Sequence, residues 1–258
     1  MKFCVLGSGS KGNCTLVESG STAILIDAGF SGKEIHRRLA LIDRSPEDLS
    51  AVIVTHEHGD HISGVGVMSR RYNLPVYANA GTHLASERRV KKLYQRIEFG
   101  TGEAFVIDEL EIHPFRISHD TADPVGFVVS DTRSSLGYCT DTGRVTKLIA
   151  HHVRKCRALI LEANHDPQML MDGPYPMPLK QRVRSNQGHL ANGDAARFLI
   201  DLVDSSLQHV VLAHLSETNN LPDIALSRVH QELKSLEPFF NLVLANQNNP
   251  TVLFSLDD

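Results

Sequence analysis

Four side chains able to hold a metal ion, His56, His58, Asp60 and His61, fall within the six residues His56-Glu57-His58-Gly59-Asp60-His61. Neutral imidazole is the commonest metal ligand, and carboxylates join it on zinc, manganese and iron. Asp60 and His61 are adjacent and so point differently from His56 and His58, which predicts a pair of ions rather than one. A His-rich solvated turn would have the same composition. Against it stands the apolar run Ala51-Val52-Ile53-Val54 just before, which reads as a buried strand delivering all four ligands to one place.

Other apolar runs also end in residues that carry chemistry. Asp27 follows Ala23-Ile24-Leu25-Ile26, His119 follows the strand-like stretch to Phe115, Asp141 follows Ser135-Leu136-Gly137-Tyr138-Cys139, and His214 follows His209-Val210-Val211-Leu212-Ala213. In sheet proteins covered by helices, sites gather at strand ends. If these ends share one rim, His56, His58 and His119 suit one ion and Asp60, His61 and His214 the other, with Asp141 bridging. Each ion then keeps the open position that a catalytic site needs. His189, after Gly188 and before a helix, is the candidate for proton donation to a leaving oxygen or a bond to phosphate. Asn164 and His165 are candidates for substrate contact or for support of the ligands. The loop Gly7-Ser8-Gly9-Ser10-Lys11-Gly12-Asn13 has the composition of a phosphate cradle without a Walker or G-x-G-x-x-G spacing. Ser8, Ser10 and Asn13 are expected at the mouth of the site, with backbone N–H groups free for phosphate.

The elements that must position these residues are strands alternating with helices. Short strands are expected at Phe3 to Leu6, Thr15 to Glu18, Val76 to Ala78, Gly126 to Val129, Ala158 to Leu161, Leu242 to Leu244 and Val252 to Phe254. Glu103 to Val106 and Glu109 to Phe115 alternate as antiparallel strands do. Helices are expected after the capping box Ser31-Gly32-Lys33-Glu34, after Ser45-Pro46, across His61 to Tyr72, after an N-cap at Asn192, and from Pro222. The proline- and methionine-rich stretch from Pro167 to Pro178 reads as a break in regular structure.

The chain has 258 residues, 41% hydrophobic and 22% charged, enough for a full core, and no linker or repeat divides it. One domain over residues 1–258 is expected. The four cysteines form no C-x-x-C pair, which argues against a thiolate zinc site and a disulfide framework and suits a reducing cytoplasm. No apolar run reaches membrane-spanning length, and the N-terminal run is too short for a signal peptide. A net charge of −4 gives no global attraction to nucleic acid, so such a partner must meet local cations. Lys180 and Arg184, one turn apart on a helix and close to His189, form one candidate patch. Arg88, Arg89, Lys91 and Lys92 form another, which could equally be a solvated helix face.

The order Asp27, His56-x-His58-x-Asp60-His61, His119, Asp141, His214 resembles the metallo-β-lactamase superfamily over nearly the whole chain. The resemblance implies an α/β fold, a four-layer αββα sandwich with a dinuclear site at one edge of its two sheets. It also makes Asp27 a support for the metal turn rather than a ligand. Position 141 is Asp, where zinc β-lactamases commonly place Cys, so antibiotic hydrolysis is not expected. The loop Gly7 to Asn13, Glu162-Ala163-Asn164-His165-Asp166, Ser185-x-x-Gly188-His189-Leu190-x-Asn192 and His214-Leu215-Ser216-x-x-Asn219-Asn220 together resemble the YycJ/WalJ-like subfamily. That resemblance implies a metal-dependent DNA exonuclease running 5′-to-3′, with Asn219 among the substrate contacts. Its cofactors would be two divalent ions, zinc or manganese, with iron a further option. A hydroxide shared between ions about 3.5–4 Å apart would attack phosphorus. The same core also resembles small-molecule phosphodiesterases and tRNA 3′-processing nucleases; the alternatives to an exonuclease are a phosphodiesterase of a small or cyclic organic phosphate and, more distantly, a thioester or lactone hydrolase.

Overall fold

Strands that are buried at every position, rather than at every second one, build the centre of the fold. Thr22–Ile26 and Ala158–Glu162 are buried throughout, as strands covered on both faces must be. The computed structural model describes residues 1–236 and 238–256. The first half of the chain runs β1 (Lys2–Gly7), β2 (Cys14–Ser19), β3 (Thr22–Ile26), α1 (Gly32–Ala40), β4 (Ala51–Ile53), α2 (Gly59–Ile62), α3 (Val65–Tyr72), β5 (Pro75–Ala78), α4 (Ala80–Val90) and β6 (Gln95–Glu98). The second runs β7 (Phe105–Ile107), β8 (Leu110–Arg116), β9 (Val125–Ser130), β10 (Ser135–Cys139), α5 (Lys147–Val153), β11 (Ala158–Glu162), α6 (Pro167–Asp172), α7 (Met177–Val183), α8 (Asn192–Ile200), β12 (His209–Ala213), α9 (Pro222–Leu233), β13 (Asn241–Leu244) and β14 (Phe254–Ser255).

Two seven-stranded sheets result, one ordered β14-β1-β2-β3-β4-β5-β6 and the other β13-β12-β11-β10-β9-β8-β7. Each changes character at its middle strand. Pairing is antiparallel on one side of β3 and of β10, and parallel on the other. Side chains alternate across each strand. Ile24, Ile26 and Ile53 of the first sheet meet Ile112, Phe127, Val129 and Ile160 of the second in a core between the sheets. Leu25 and Val52 face the other way, onto Ile35 and Leu39 of α1, Met68 of α3 and Val90 of α4. Leu159, Leu161 and Val210 pack on Ile149 of α5, Leu199 of α8 and Val229 of α9. The layers are therefore helix, sheet, sheet, helix. No helix among the described residues is long and apolar enough to cross a membrane.

Several elements differ from the sequence expectation. The stretch from Pro167 to Pro178 is not a break but the start of two helices. Asp166 caps α6 by accepting from the amides of Gln168 and Met169, each at 2.9 Å, and Pro167 and Pro178 sit in first turns, where no amide hydrogen is needed. His61 to Tyr72 is two helices, because the amide of Gly64 leaves the helical pattern to donate to Ala28 O at 2.7 Å. The helix after Ser45 is a single 3-10 turn, Pro46–Asp48. The capping box of α1 is half made: Ser31 accepts from the Glu34 amide, while the Glu34 carboxylate goes to Arg37 and Arg38. Ala191, not Asn192, is the N-cap of α8. The Asn192 amide side chain instead exchanges hydrogen bonds of 2.9 Å with Asn220. Strand β6 and helix α5 carry no expectation from sequence.

Phe127, fully buried between the sheets, makes the core testable. Phe127→Ala is expected to cost about 3–5 kcal/mol in urea unfolding with little change in slope. Val106→Ala, at a residue 63% exposed, is expected to stay within about 0.5 kcal/mol of the parent.

Candidate metal centre

The register of the sheets brings the chemistry-bearing ends together. β10 pairs with β11 at Cys139–Leu161 and β11 with β12 at Glu162–Ala213, so Asp141, Glu162 and His214 emerge from one edge. On the other sheet Ile26 pairs with Ile53, placing Asp27 beside the segment that leads to His56. Asp27 and Asp141 follow the two strands at which pairing changes from antiparallel to parallel, the positions where open sheets part to admit a ligand. Asp27 (φ 60), Asp141 (φ 55) and His214 (φ 55) all take the left-handed backbone conformation that non-glycine residues avoid. Such strain, of about 1–3 kcal/mol each, persists only where the surroundings fix it, and it clusters at functional sites.

The hydrogen bonds select one nitrogen on each imidazole. The Asp27 carboxylate accepts from the Thr55 amide and hydroxyl, both at 2.9 Å, and from His61 Nδ1 at 2.7 Å. Since the Thr55 hydroxyl donates to Asp27, its oxygen accepts from His56 Nδ1 at 2.9 Å. His119 Nδ1 donates to Gly188 O at 3.1 Å, and His214 Nδ1 to Glu162 Oε1 at 2.9 Å. With these tautomers, the lone pairs of His56, His61, His119 and His214 are all at Nε2, while His58 Nδ1 stands 3.2 Å from His119 Nε2. Asp141 Oδ2 is 3.2 Å from His61 Nε2, and Asp60 Oδ2 is 3.5 Å from His214 Nε2.

Two ligand sets emerge, His56, His58 and His119, and Asp60, His61 and His214, with the ligand atoms of each set within 4.8 Å of one another. Asp141 falls within the same reach of His56 and His61, between the sets. A metal fits these residues. His56 Nε2, His214 Nε2 and Asp141 Oδ2 are buried without any hydrogen-bond partner, each a cost of about 1–3 kcal/mol that a cation removes.

Electrostatics agree with that reading. Burial and the neighbouring imidazoles hold His56 well below the usual histidine range, leaving it neutral. Burial also disfavours charge on His61 and His214, but the surrounding carboxylates outweigh it: Asp141, Asp27 and Asp60 raise His61, and Asp141, Asp60 and Glu162 raise His214 to about 10. Without a metal the carboxylates draw protons onto these rings, and a divalent cation must displace them.

A cavity of about 330 Å³ opens onto this cluster, lined by Ser10, His58, Gly59, Asp60, Asp120, Asp141, Leu179, Arg182, Val183, Gly188, His189 and His214. His189 lies at its wall with Nδ1 held by Glu162 Oε1 at 2.7 Å, which leaves Nε2 for the cavity. Burial opposes its charged form, yet Glu162 more than offsets this and raises its pKa. Ser10 lines the cavity too. Ser8 serves the frame instead: its hydroxyl accepts from the His214 amide at 2.9 Å and donates to Asn13 Oδ1 at 2.8 Å. Asn13 Nδ2 reaches Asp60 Oδ2 at 3.3 Å and His61 Nε2 at 3.1 Å. The amides of Gly9, Lys11, Gly12 and Asn13 are taken by Asn13 Oδ1, Gln247 Oε1, Gly9 O and Asp60 O, so the loop is no open phosphate cradle.

Asn164, His165 and Asn219 are buried outside the cavity lining. Asn164 Nδ2 donates to His214 O at 2.8 Å, His165 O accepts from the Asn192 amide, and Asn219 holds the Ser216 hydroxyl. Lys180 turns its ammonium to Met171 O at 2.5 Å, and Arg184 meets Met171 Sδ. The cation that lines the cavity on this helix is Arg182, bound to Asp120 at 2.5 Å. Glu162 is the functional residue that sequence reasoning passed over. It is fully buried and accepts from His189, His214 and the amides of Thr142 and Leu190. Its signal was present, since the apolar run Ala158 to Leu161 ends in it as others end in Asp27 and Asp141.

Residues 22–215 match the model of a family described as the beta-lactamase superfamily domain. The chain is 37% identical over 236 residues to the exodeoxyribonuclease YycJ of Bacillus anthracis, covering 91% of this chain and 89% of that one. It is 39% identical over 229 residues to the exodeoxyribonuclease WalJ of Streptococcus pneumoniae, covering 87% and 85% respectively. Among solved structures, the metallo-β-lactamase fold protein YhfI from Bacillus subtilis superposes with a TM-score of 0.73 at 18% identity, over 97% of this chain and 98% of that one, a likeness of fold.

Metal loading of chelator-stripped protein is expected to raise Tm and to release protons into a weakly buffered solution. Apparent affinity should climb about tenfold per pH unit for each proton displaced, throughout the range below the His214 pKa of about 10. Uptake without proton release would contradict the protonated state of His61 and His214. Glu162→Gln, which weakens the hold on His214 and His189, is expected to lower affinity for the second ion about 10–100-fold. The site of His56, His58 and His119 should keep its affinity in a two-site titration.

Proposed function

The chain belongs to the metallo-β-lactamase superfamily as a metal-dependent hydrolase of the YycJ/WalJ type, and from that premise we propose that it is a dinuclear DNA exonuclease acting 5′-to-3′. The observation that carries the reading is the pair of ligand sets joined by Asp141 in a chain that matches two exodeoxyribonucleases over most of their length. His56, His58 and His119 would hold one divalent ion and Asp60, His61 and His214 the other, zinc or manganese by ligand type. Ions so held supply charge neutralisation at the phosphate oxygens and a water of lowered pKa.

The protein's own groups then divide the remaining work. Asp27 fixes His61, and Glu162 fixes His214 and His189, so that no ligand ring must reorient during turnover. His189, oriented through Nδ1, is placed to give a proton from Nε2 to the departing oxygen. Arg182, its charge partly offset by Asp120, offers hydrogen bonds to a phosphate entering the cavity. Four buried cysteines without a disulfide support a reducing compartment, the cytoplasm, as the place of action.

End-labelled DNA tests the proposal. Metal-loaded protein is expected to release a 5′ label early and a 3′ label late, with activity lost in EDTA. Asp141→Ala should abolish cleavage, and His189→Ala should lower kcat about 10²–10⁴-fold, the usual worth of general acid catalysis. Intact DNA beside rapid turnover of bis(p-nitrophenyl) phosphate would replace the nuclease with a small-molecule phosphodiesterase. Turnover of S-lactoylglutathione alone would point to thioester hydrolysis.

A further inference from the structure

The basic run Arg88-Arg89-Val90-Lys91-Lys92 closes α4, and its four cations, all exposed, form no ion pair among the described residues. Arg89 nonetheless has a fixed place. A methyl group added to Gly59 would lie 2.3 Å from Arg89 Nη1 and 2.6 Å from Nη2, so the guanidinium rests on the backbone of the metal turn where no side chain intervenes. Nη2 also donates to the Ser63 hydroxyl at 3.1 Å, spanning α2. Gly59 lines the metal cavity between His58 and Asp60, so Arg89, itself outside that lining, stands against a residue that does line it.

The helix end that carries Arg89 is itself pinned. Arg70 Nη1 donates to Val90 O at 3.2 Å and to Lys92 O at 2.5 Å, occupying carbonyls that the helix leaves open. Val90 is buried in the helix-facing core of the first sheet. Arg182 already has Asp120 as its counter-charge, whereas Arg89 has only a neutral hydroxyl. An exposed guanidinium held in place without a carboxylate is a ready partner for a phosphate, which its planar fork can grip through two oxygens.

We propose that Arg89 binds the phosphate adjacent to the scissile one in an extended DNA strand, and that Arg88, Lys91 and Lys92 carry the strand on from the site. The assignment rests on the nuclease reading and extends it to a substrate track. A small phosphodiester has only the reacting phosphate, which the metal cluster would take, and offers no second phosphate to Arg89. The track reconciles a nucleic-acid substrate with a net charge of −4, since the attraction is local.

The test compares metal-loaded wild type, R89A and R89K on single-stranded 5′-labelled DNA and on bis(p-nitrophenyl) phosphate over a range of NaCl. R89A is expected to lower the ratio of kcat/KM for DNA to that for the small diester about five- to tenfold, through a higher KM for DNA, as loss of one charge-assisted contact does. Its dependence of log(1/KM) on log[NaCl] should be shallower by about 0.7, one phosphate contact on a single strand. R89K, which keeps the charge, should retain the wild-type salt slope. Equal loss on both substrates, or an unchanged salt slope in R89A, would overturn the role of Arg89 while leaving the nuclease standing. Failure of wild type to degrade DNA, with the small diester still turned over, removes the nuclease reading and this track with it.

Discussion

Two buried carboxylates, one at the end of each sheet, hold the site together. An ionised carboxylate is costly inside a protein unless its oxygens are filled with donors. Asp27 accepts from Thr55 and His61; Glu162 accepts from His189, His214 and two amides. Asp27 fixes His61 through Nδ1 and Glu162 fixes His189 and His214 in the same way, while the Thr55 hydroxyl holds His56 Nδ1 and Gly188 O holds His119 Nδ1. The free Nε2 of His61 and His214 on one side and of His189 on the other follows from those bonds. They also explain why the rings leave orphaned lone pairs in a well-packed interior. The carboxylates order the rings toward one point, and only a cation there completes them.

Asp27 follows β3, where its sheet changes pairing sense, and Glu162 ends β11, one strand over from the strand at which the other sheet does so. Asp27 and Asp141 follow the strands at which pairing changes sense, and with His214 they share a strained backbone. The strain is maintained by bonds from distant segments. Ser8 holds the His214 amide, Asn13 joins Asp60 and His61, and Gly188 holds His119. Close approach matters as well: a methyl group on Gly29 would sit 1.7 Å from Asp60 O, so the loop after β3 can pack under the metal turn only with glycine at that position. The first loop of the chain, whose composition suggests a phosphate cradle, is spent on this scaffolding. That is why its amides face inward.

Charge is spent in pairs over much of the molecule, as in Arg44 with Glu18 or Arg228 with Glu232. Among the described residues, the cations at the end of α4 form no ion pair, and one of them, Arg89, rests against Gly59. On α7, Lys180 is drawn into the protein by a backbone carbonyl and Arg182 takes the place beside the cavity. A run of basic residues acquires meaning from what its helix end abuts, and the abutting residue here is Gly59 of the metal turn.

The sequence by itself determined the ligand types, their short spacing in His56 to His61, and most of the strands that deliver them, because these are local patterns of period and residue class. It also determined that Asp27, His119, Asp141 and His214 end apolar runs. Only the tertiary structure decided which nitrogen is free on His61, His119, His189 and His214, since that depends on partners 27 to 69 residues away, such as Asp27 for His61 and Glu162 for His214. It brought out Glu162, whose role comes from two rings that approach it from other loops. It placed Asn164, His165 and Asn219 outside the cavity lining and Arg182, about half a helical turn from Lys180 and Arg184, within it. The helices after Pro167 were hidden because proline suits a first turn as well as a break, and only the cap at Asp166 and the packing of Leu170 distinguish the two. Residue type and spacing are written in the chain, whereas the direction a side chain faces is set by contacts that close only when the two sheets meet.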